Sequence, residues 1–277
     1  MLERNTFTIE RSNAYGSDEL TVYLKKLLPF SVNMIAAVRD YPDRCTVLIA
    51  RRRKSIAGVM VEFHSRYNRH IWFDPIIWIA GNADAALALF HEKGSGPSII
   101  ISQTDFTNRG STRKIELKVY EEYIMVANLD NVNLELRTGE GELKRLTVYN
   151  KIDSLAISGV EGKEMDQDSI EREENFLKER VCMGLFVDGK LVSRGAVMSI
   201  TDDYASVGAF LTDRGSRNMG YGSRIVAQTL RRASVYSRNA CLFVRASNEN
   251  AIQLYRKVGF EINEKAYFID VGTGSMP

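Results

Sequence analysis

A glycine-rich turn in front of a helix-like segment constrains the fold of this chain more than any other stretch. The apolar run at residues 204–211 leads into polar residues and then into Gly220 and Gly222. The apolar residues that follow recur at helical spacing, namely Ile225, Val226, Leu230 and Ala233. Because glycine has no Cβ atom, the backbone at the turn can bend sharply and approach a ligand closely. The pattern predicts a strand, a turn and a helix whose N-terminal N–H groups face an anion such as a phosphate.

A guanidinium group stands in the same turn. Arg217 would add a charged fork to a bound phosphate. A glycine turn before a helix often has only a structural role, so this stretch alone leaves that alternative open. A second segment, residues 248–260, begins 31 residues after Arg217. The two segments together are far more specific than either one alone.

The pair of segments resembles the acetyl-CoA motif of the GNAT superfamily of N-acyltransferases. That motif runs Arg/Gln-x-x-Gly-x-Gly/Ala and then Asn-x-x-Ala-x-x-x-Tyr-x-x-x-Gly-Phe. Every fixed position is filled in this sequence, by Arg217, Gly220, Gly222, Asn248, Ala251, Tyr255, Gly259 and Phe260. The resemblance covers residues 142–270 and is strongest over residues 207–260. It implies a GNAT fold for the C-terminal half, with a mixed, mainly antiparallel central sheet flanked by helices.

The resemblance also implies a site for acetyl-CoA as the acyl donor. Family members splay the strand before the glycine turn away from its neighbour, and the unpaired backbone groups bind the pantetheine arm as an added strand would. By position, the backbone of Phe210 and Thr212 would bind the arm, and the N–H of Phe210 or Leu211 would face the thioester oxygen. A plain core strand is the alternative. The cofactor-binding residues implied in this way are Phe210, Leu211, Thr212, Arg217, Asn218, Met219, Gly220, Tyr221, Gly222, Ser223 and Asn248.

Tyr255 is the one residue for which the resemblance implies a catalytic role. Its hydroxyl would protonate the departing CoA thiolate, and a phenol suits this role because it stays protonated at neutral pH. The alternative is core packing, since Ala251, Leu254, Tyr255 and Val258 form an apolar helical stripe. Asn248 would bind the pantetheine arm, cap its helix, or do both.

The sequence identifies no general base. Residues 204–208 contain no carboxylate, and the C-terminal half contains no histidine. Four acidic residues remain candidates, namely Glu173, Glu174, Asp202 and Asp203. An ordered water or an amine that arrives neutral would also suffice, because positioning the reactants supplies much of the rate.

The N-terminal half repeats the order of elements expected in the C-terminal half. Patterning predicts helices at 17–28 and 32–39, strands at 45–50, 56–63 and 71–79, a helix at 82–91 and a strand at 98–101. This order favours a second, degenerate GNAT-like domain, and an unrelated α/β domain is the alternative. The turn at residues 81–85 lacks the glycine pair and the arginine, and Asp84 would repel a phosphate. We therefore expect no CoA binding in this half.

Length and turn residues divide the chain. Its 277 residues exceed the usual size of one domain. Residues 103–141 resemble a connection, with a predicted strand at 120–127, and the glycines at 139 and 141 give the strongest boundary signal. We expect an N-terminal α/β domain at residues 1–140 and a GNAT acetyltransferase domain at residues 141–277. The predicted fold class is α/β, of the α+β kind, in two domains.

Composition excludes several classes of protein. The net charge of +2 is too small to indicate nucleic acid or an anionic membrane as the main partner. No apolar run reaches the length of about 18 residues that a spanning helix needs. Three separated cysteines predict free thiols in a reducing compartment, and three histidines lack the spacing of metal ligands. We expect a cytoplasmic protein without a metal.

The expected function is acyl-CoA-dependent N-acyl transfer, with acetyl passing from acetyl-CoA directly to a primary amine. The acceptor is a small molecule or a protein amine, and Trp72, Phe73 and Trp78 are either core residues or an aromatic acceptor wall. A longer acyl donor and a non-catalytic acyl-CoA-binding or sensing protein are the alternatives. The sequence does not specify the oligomeric state.

Overall fold

The computed structural model describes residues 7–12, 18–64, 75–93, 96–108, 117–132, 140–159 and 165–272. The N-terminal half contains β1 (Thr8–Ser12), α1 (Asp18–Lys25), α2 (Val32–Asp40), β2 (Cys45–Arg52), β3 (Ser55–Phe63), β4 (Ile76–Gly81), α3 (Ala83–Glu92), β5 (Ser98–Ser102) and β6 (Leu117–Asn128). The C-terminal half contains β7 (Glu142–Arg145), α4 (Lys151–Ile157), α5 (Gln167–Glu179), β8 (Val181–Val187), β9 (Lys190–Ile200), β10 (Tyr204–Thr212), α6 (Tyr221–Ala233), β11 (Asn239–Arg245), α7 (Glu249–Val258) and β12 (Glu261–Val271). The predicted order of elements is confirmed, while Trp72 and Phe73 lie outside the described residues.

The sequence pattern predicts a strand at residues 142–148, and the strand of the structure is shorter. It ends at Arg145, and a single helical turn, Val148–Asn150, follows. The side chain of Asn150 accepts a hydrogen bond from the backbone N–H of Thr147 at 3.1 Å, which caps that turn. Local capping therefore ends the strand three residues before the predicted end at Val148.

All strands of the described residues lie in one sheet of 12 strands. Their order is β1-β2-β3-β4-β5-β12-β6-β11-β10-β9-β8-β7. The order is symmetric about the centre of the sheet. Five strands of the N-terminal half lie on one side, five strands of the C-terminal half lie on the other side, and β12 and β6 lie between them. Two neighbouring pairs are parallel, β4 with β5 and β10 with β11, and they occupy matching places in the two halves. The mainly antiparallel sheet and the repeated plan agree with a tandem arrangement of two similar folds.

The two halves exchange strands at the centre of the sheet. β12, from the C-terminal half, lies between β5 and β6 and pairs antiparallel with both. β6, from the N-terminal half, lies between β12 and β11 and pairs with the whole of β11. The sequence placed β6 in a connection, but Ile124 and Met125 are fully buried on its two faces. Its partners come from the other half of the chain, and local patterning cannot identify them.

Helices cover both faces of the sheet. We call the side covered by α1, α2, α4 and α5 the front face, and the side covered by α3, α6 and α7 the back face. Helix α2 belongs to the N-terminal half, but it contacts β9 and β10 of the C-terminal half. Within the described part of the chain, no helix combines the length and the apolar character needed to cross a membrane.

Candidate functional site

The parallel pair of strands β10 and β11 opens at its middle. The two strands pair at only three positions, from Tyr204 to Ser206 in β10, although β10 continues to Thr212. The pairing of β10 with β9 shifts register between Gly208 and Leu211, and Ala209 has a positive φ of 53°. This bulge bends β10 away from β11. The backbone edge of β10 beyond Ser206 is therefore unpaired on the β11 side, as the resemblance implies.

The glycine turn, residues 217–222, follows the open end of β10 on the back face. Asn218 and Gly220 both have positive φ, 65° and 81°, and α6 begins directly after Gly220. A Cβ atom on Gly222 would lie 3.1 Å from Leu254 Cδ1 on α7 and 3.5 Å from Thr212 Oγ1. The turn thus places the first N–H groups of α6 next to both β10 and α7, where a helix N-terminus favours an anion.

Several predicted residues of the turn reach solvent. Arg217 is exposed, and its Nε donates to the carbonyl oxygen of Thr212 at 3.4 Å. Met219 is 62% exposed. The side chain of Tyr221 is partly buried and packs against an apolar cluster that includes Ile225 and residues of β8. The turn offers a ligand backbone groups and the Arg217 guanidinium.

Helix α7 brings Tyr255 against the end of β10. The Tyr255 ring lies 5.9 Å from the ring of Phe210 and 5.9 Å from the ring of Phe260, measured between centroids. Burial raises the pKa of the Tyr255 hydroxyl to about 12. Asn248 caps the helix, since its Oδ1 accepts from the N–H of Ala251 at 3.2 Å. The structure thus gathers the predicted residues of β10, the glycine turn and α7 on the back face.

The matching place in the N-terminal half is closed. There the parallel pair β4 and β5 is matched at four positions, and α3 begins two residues after β4 ends. Gln103 fills the space, because its backbone N–H donates to the Ile79 carbonyl oxygen at 3.0 Å and its Oε1 accepts from the Gly81 N–H at 3.3 Å. A Cβ atom on Gly81 would lie 2.5 Å from the Ala57 carbonyl oxygen. This half has neither the open strands nor the long turn of its counterpart.

On the front face, the open strands form the wall of a cavity of about 340 Å³. Residues Ser206 to Ala209 of β10 are part of that wall, together with Ala36 and Ala37 of α2. The remaining wall is mainly aromatic and aliphatic, and includes Phe63, Trp78, Ile101, Phe243 and Phe268. The cavity therefore combines residues of both halves, and Trp78 forms part of it.

Comparison with known proteins agrees with this geometry. Residues 183–269 match the family model described as FR47-like protein. Solved structures share the fold along nearly the whole chain. A tandem GNAT protein from the clavulanic acid biosynthesis pathway has a TM-score of 0.58 and 12% identity, covering 98% of this chain and 100% of that protein. The C-terminal half is a GNAT-fold domain.

Other relatives extend the comparison. A Drosophila melanogaster protein of known crystal structure has a TM-score of 0.69 and 12% identity, covering 98% of this chain and all of that protein. A UPF0039 protein of Schizosaccharomyces pombe is 31% identical over 83 residues, which are 30% of this chain and 55% of that relative. The match thus spans about half the length of the yeast relative. At this level of identity the solved structures establish the fold, which for the whole chain is a tandem GNAT arrangement.

The four acidic residues proposed as bases of the GNAT domain do not line the cavity. Glu173 is buried beside Arg194 Nη1 at 2.5 Å, and this pair ties α5 to β9. Glu174 is bound by Lys151 at 2.6 Å and Lys178 at 2.7 Å, and these lysines lower its pKa to about 2. Asp202 and Asp203 are exposed. Each of the four is either held by a cation or turned to solvent.

The sequence missed one acidic residue of the cavity, Glu122 on β6. It is 8% exposed, and burial raises the pKa of its carboxyl group, while Arg245 opposes the shift. The Nε of Arg245 lies 3.8 Å from Glu122 Oε1. One signal was present, since two glutamates interrupt the apolar run of the strand predicted at 120–127. Without the fold, nothing connected that strand with the GNAT domain.

Proposed function

We propose that this protein is an N-acyltransferase that passes an acetyl group from acetyl-CoA directly to a primary amine. The observation that carries the proposal is the opening between β10 and β11. Its back side meets the glycine turn and Tyr255, and its front side meets the cavity. A donor and an acceptor that approach from opposite faces of the sheet would meet at this opening.

Acetyl-CoA fits the residues present. The free edge of β10, including Phe210 and Thr212, suits the amides of the pantetheine arm, and the N–H groups of the α6 N-terminus suit a pyrophosphate. A Cβ atom on Gly222 would lie tightly against Leu254. Without a side chain at this position, the backbone of the turn is the surface that a phosphate would contact. Bound acetyl-CoA supplies the acyl group as a thioester and a thiolate as the leaving group.

The residues of the chain would act on both sides of that thioester. The N–H of Phe210 or Leu211 stabilises the negative charge that develops on the carbonyl oxygen as the amine nitrogen attacks. As the carbon–sulfur bond breaks, the Tyr255 hydroxyl would give its proton to the sulfur, and the proton that the nitrogen loses would pass through water and restore the Tyr255 hydroxyl. Because burial raises the pKa of Tyr255 to about 12, the hydroxyl holds this proton throughout the neutral range.

We also infer that the acceptor is a small molecule or a protein amine rather than a nucleic acid or a membrane lipid. The net charge of +2 supports this inference. A cytoplasmic location belongs to the same proposal, because Cys45, Cys182 and Cys241 are free thiols.

The first test is titration of acetyl-CoA and of free CoA by calorimetry, followed by detection of released thiol with a panel of amines. We expect one site per chain with micromolar affinity.

Arg217→Glu should weaken CoA binding about tenfold or more, because it replaces a cation at the turn by an anion. Arg231→Glu makes the same charge change at the other end of α6 and should leave the affinity nearly unchanged. Equal affinities of the two variants would contradict the assigned site, and binding without turnover of any amine would contradict the enzymatic role.

A further inference from the structure

The cavity on the front face has a mainly apolar wall and one buried carboxylate, that of Glu122. Phe243 and Phe268 line it from neighbouring parts of the sheet, and Trp78 lines it from β4. Glu122 reaches the same cavity from the exchanged strand β6. Asp40, in contrast, is exposed, so the cavity is open near the end of α2 and closed near Glu122. A ligand that enters beside Asp40 would therefore reach Glu122 last.

Arg245 compensates the charge of Glu122 only in part. Its guanidinium carbon lies 4.2 Å from the Tyr120 ring centroid and 4.1 Å from the Phe268 ring centroid. The two rings hold the guanidinium in place, and its Nε stays 3.8 Å from the carboxylate oxygen, beyond hydrogen-bond distance. A cation inside the cavity could therefore approach Glu122 more closely than Arg245 does.

We propose that the acceptor is a small primary amine on an aromatic or aliphatic body without a carboxylate, and that Glu122 binds its ammonium group. This inference rests on the proposed acyl transfer and assigns the acceptor class of the same site. The aromatic side chains contact the body of the amine, while the nitrogen lies between Glu122 and the opening of β10 and gives one proton to water before it attacks the thioester. Glu122 is then the residue that determines acceptor specificity.

Size and charge both favour this class. A volume of about 340 Å³ is at the lower end of ligand pockets, so it suits a small amine rather than a folded segment of another protein. A carboxylate next to the nitrogen would be repelled by Glu122. Arg180 also lines the cavity, but its charge is partly compensated by Glu179, whose Oε2 lies 4.0 Å from Arg180 Nη1, and the same nitrogen donates to the Tyr41 hydroxyl at 3.2 Å. Amino acids should therefore bind more weakly than the matching amines.

The test uses the tryptophan of the cavity wall as a reporter. The chain contains two tryptophans, and Trp72→Phe leaves Trp78 as the single one. Emission of this protein is titrated with 2-phenylethylamine, phenylalanine and spermidine, with and without free CoA. We expect a saturable change with 2-phenylethylamine and at least tenfold weaker binding of phenylalanine. Tighter binding of phenylalanine or spermidine than of 2-phenylethylamine would overturn the proposed class.

A matched pair of variants on β6 tests the carboxylate. Glu122→Gln keeps the shape of the side chain and removes its charge, and it should raise the dissociation constant of 2-phenylethylamine about 10-fold to 100-fold. Glu121→Gln changes the neighbouring residue, which pairs with Lys265 and does not line the cavity, and it should have little effect. Equal affinity of the Glu122→Gln protein and the parent protein would refute the role of Glu122.

A third variant keeps the proposal testable if Glu122→Gln does not fold. Ala36→Leu adds bulk to the cavity wall from α2, and it should weaken 2-phenylethylamine more than methylamine. If Ala36→Leu weakens the binding of both amines equally, the cavity is not the acceptor site.

Thiol release from acetyl-CoA separates the test of the acyl transfer from the test of the acceptor class. Thiol release with an acceptor whose rate is insensitive to Glu122→Gln would leave the acyl transfer standing and remove this proposal. Amine binding without CoA binding would remove the acyl transfer, and with it the role of the amine as acceptor, and would leave only an amine-binding site at Glu122.

Discussion

Tyr255 packs in the core and, in the proposed acyl transfer, also serves as the acid. Its ring contacts Phe210 and Phe260, as the apolar stripe on α7 predicts. The same burial keeps the hydroxyl protonated, because it raises the pKa from its usual value of about 10 to about 12. Packing against apolar rings thus extends the pH range over which the hydroxyl keeps its proton.

Replacement of Tyr255 by phenylalanine separates these two contributions. Tyr255→Phe keeps the ring contacts, so the free energy of unfolding and the CoA affinity should change little. The rate of acyl transfer should fall about 100-fold, which is typical for loss of a general acid. Thiol release at saturating acceptor measures the rate, and calorimetry measures the affinity. An unchanged rate would leave Tyr255 with a packing role alone.

The pH dependence gives a second observable for the same hydroxyl. An acid with its pKa raised to about 12 stays in its active, protonated form at pH 9 and 10. Ionisation of Tyr255 should therefore cause no alkaline loss of rate up to pH 10. A fall in the rate of the parent protein near pH 8 that is absent from Tyr255→Phe would show that the hydroxyl ionises much earlier.

The contrast between Tyr255 and Glu122 shows what single residues reveal in a sequence. Tyr255 stands at a fixed spacing within one helix, so a local motif was enough to identify it. Glu122 acquires its surroundings from Arg245 on β11 and from Phe268 on β12. Those neighbours lie more than 100 residues away along the chain. Only the assembled sheet brings them together.

Among the elements, β10 determines the geometry of the site. Its bulge depends on Ala209, whose positive φ of 53° is a conformation that glycine adopts without strain and alanine does not. The apolar run of this strand predicted its existence and its end. Gly208, inside the strand, is a local sign of a bulge, but the residue in the left-handed conformation is its neighbour Ala209, which no sequence pattern marks.

Substitutions at Ala209 should therefore have effects of opposite sign. Ala209→Gly should raise the free energy of unfolding by up to about 1 kcal/mol, and Ala209→Val should lower it by about 2 kcal/mol, because a branched side chain is strained at positive φ. Urea denaturation measures both changes. Ala205→Gly is the control on the same strand, where the backbone is regular, and it should be destabilising. Destabilisation by Ala209→Gly as well would contradict the strain at the bulge.

Other elements followed from the sequence because their signals are local. The hairpin between β8 and β9 turns at Asp188 and Gly189, both with positive φ, as this pair of residues predicts. Helix α6 begins after Gly220 and shows the expected periodic burial. Such elements depend on residues within a few positions of one another.

For the molecule as a whole, the exchange of β6 and β12 ties the halves into one sheet. The domain boundary at residue 140 stays a prediction. We retain it as the proposed boundary between the two similar halves of the sequence. Neither unit contains a complete sheet of its own. Pairing between strands that are far apart along the chain is set by the fold, and no spacing in the sequence records it.

Removal of the first 140 residues should therefore prevent folding of the remaining half, in addition to removing part of the cavity wall. A protein of residues 141–277 lacks β6, so β11 and β12 lose the strand between them and expose unpaired edges. We expect an aggregating or unfolded product without CoA binding, as judged by circular dichroism, gel filtration and calorimetry. Co-expression with residues 1–140 should restore a soluble complex. A monomeric, cooperatively folded 141–277 that binds CoA would contradict the interdependence of the halves.

The exchanged strands also impose an order on biosynthesis. The ribosome makes β5 and β6 long before β12, although β12 lies between them in the finished sheet. A nascent chain that has completed only its first half must keep those two edges available without pairing them to each other. The sheet of this half is thus complete only after β12 has been translated, and loss of β12 should compromise both halves at once.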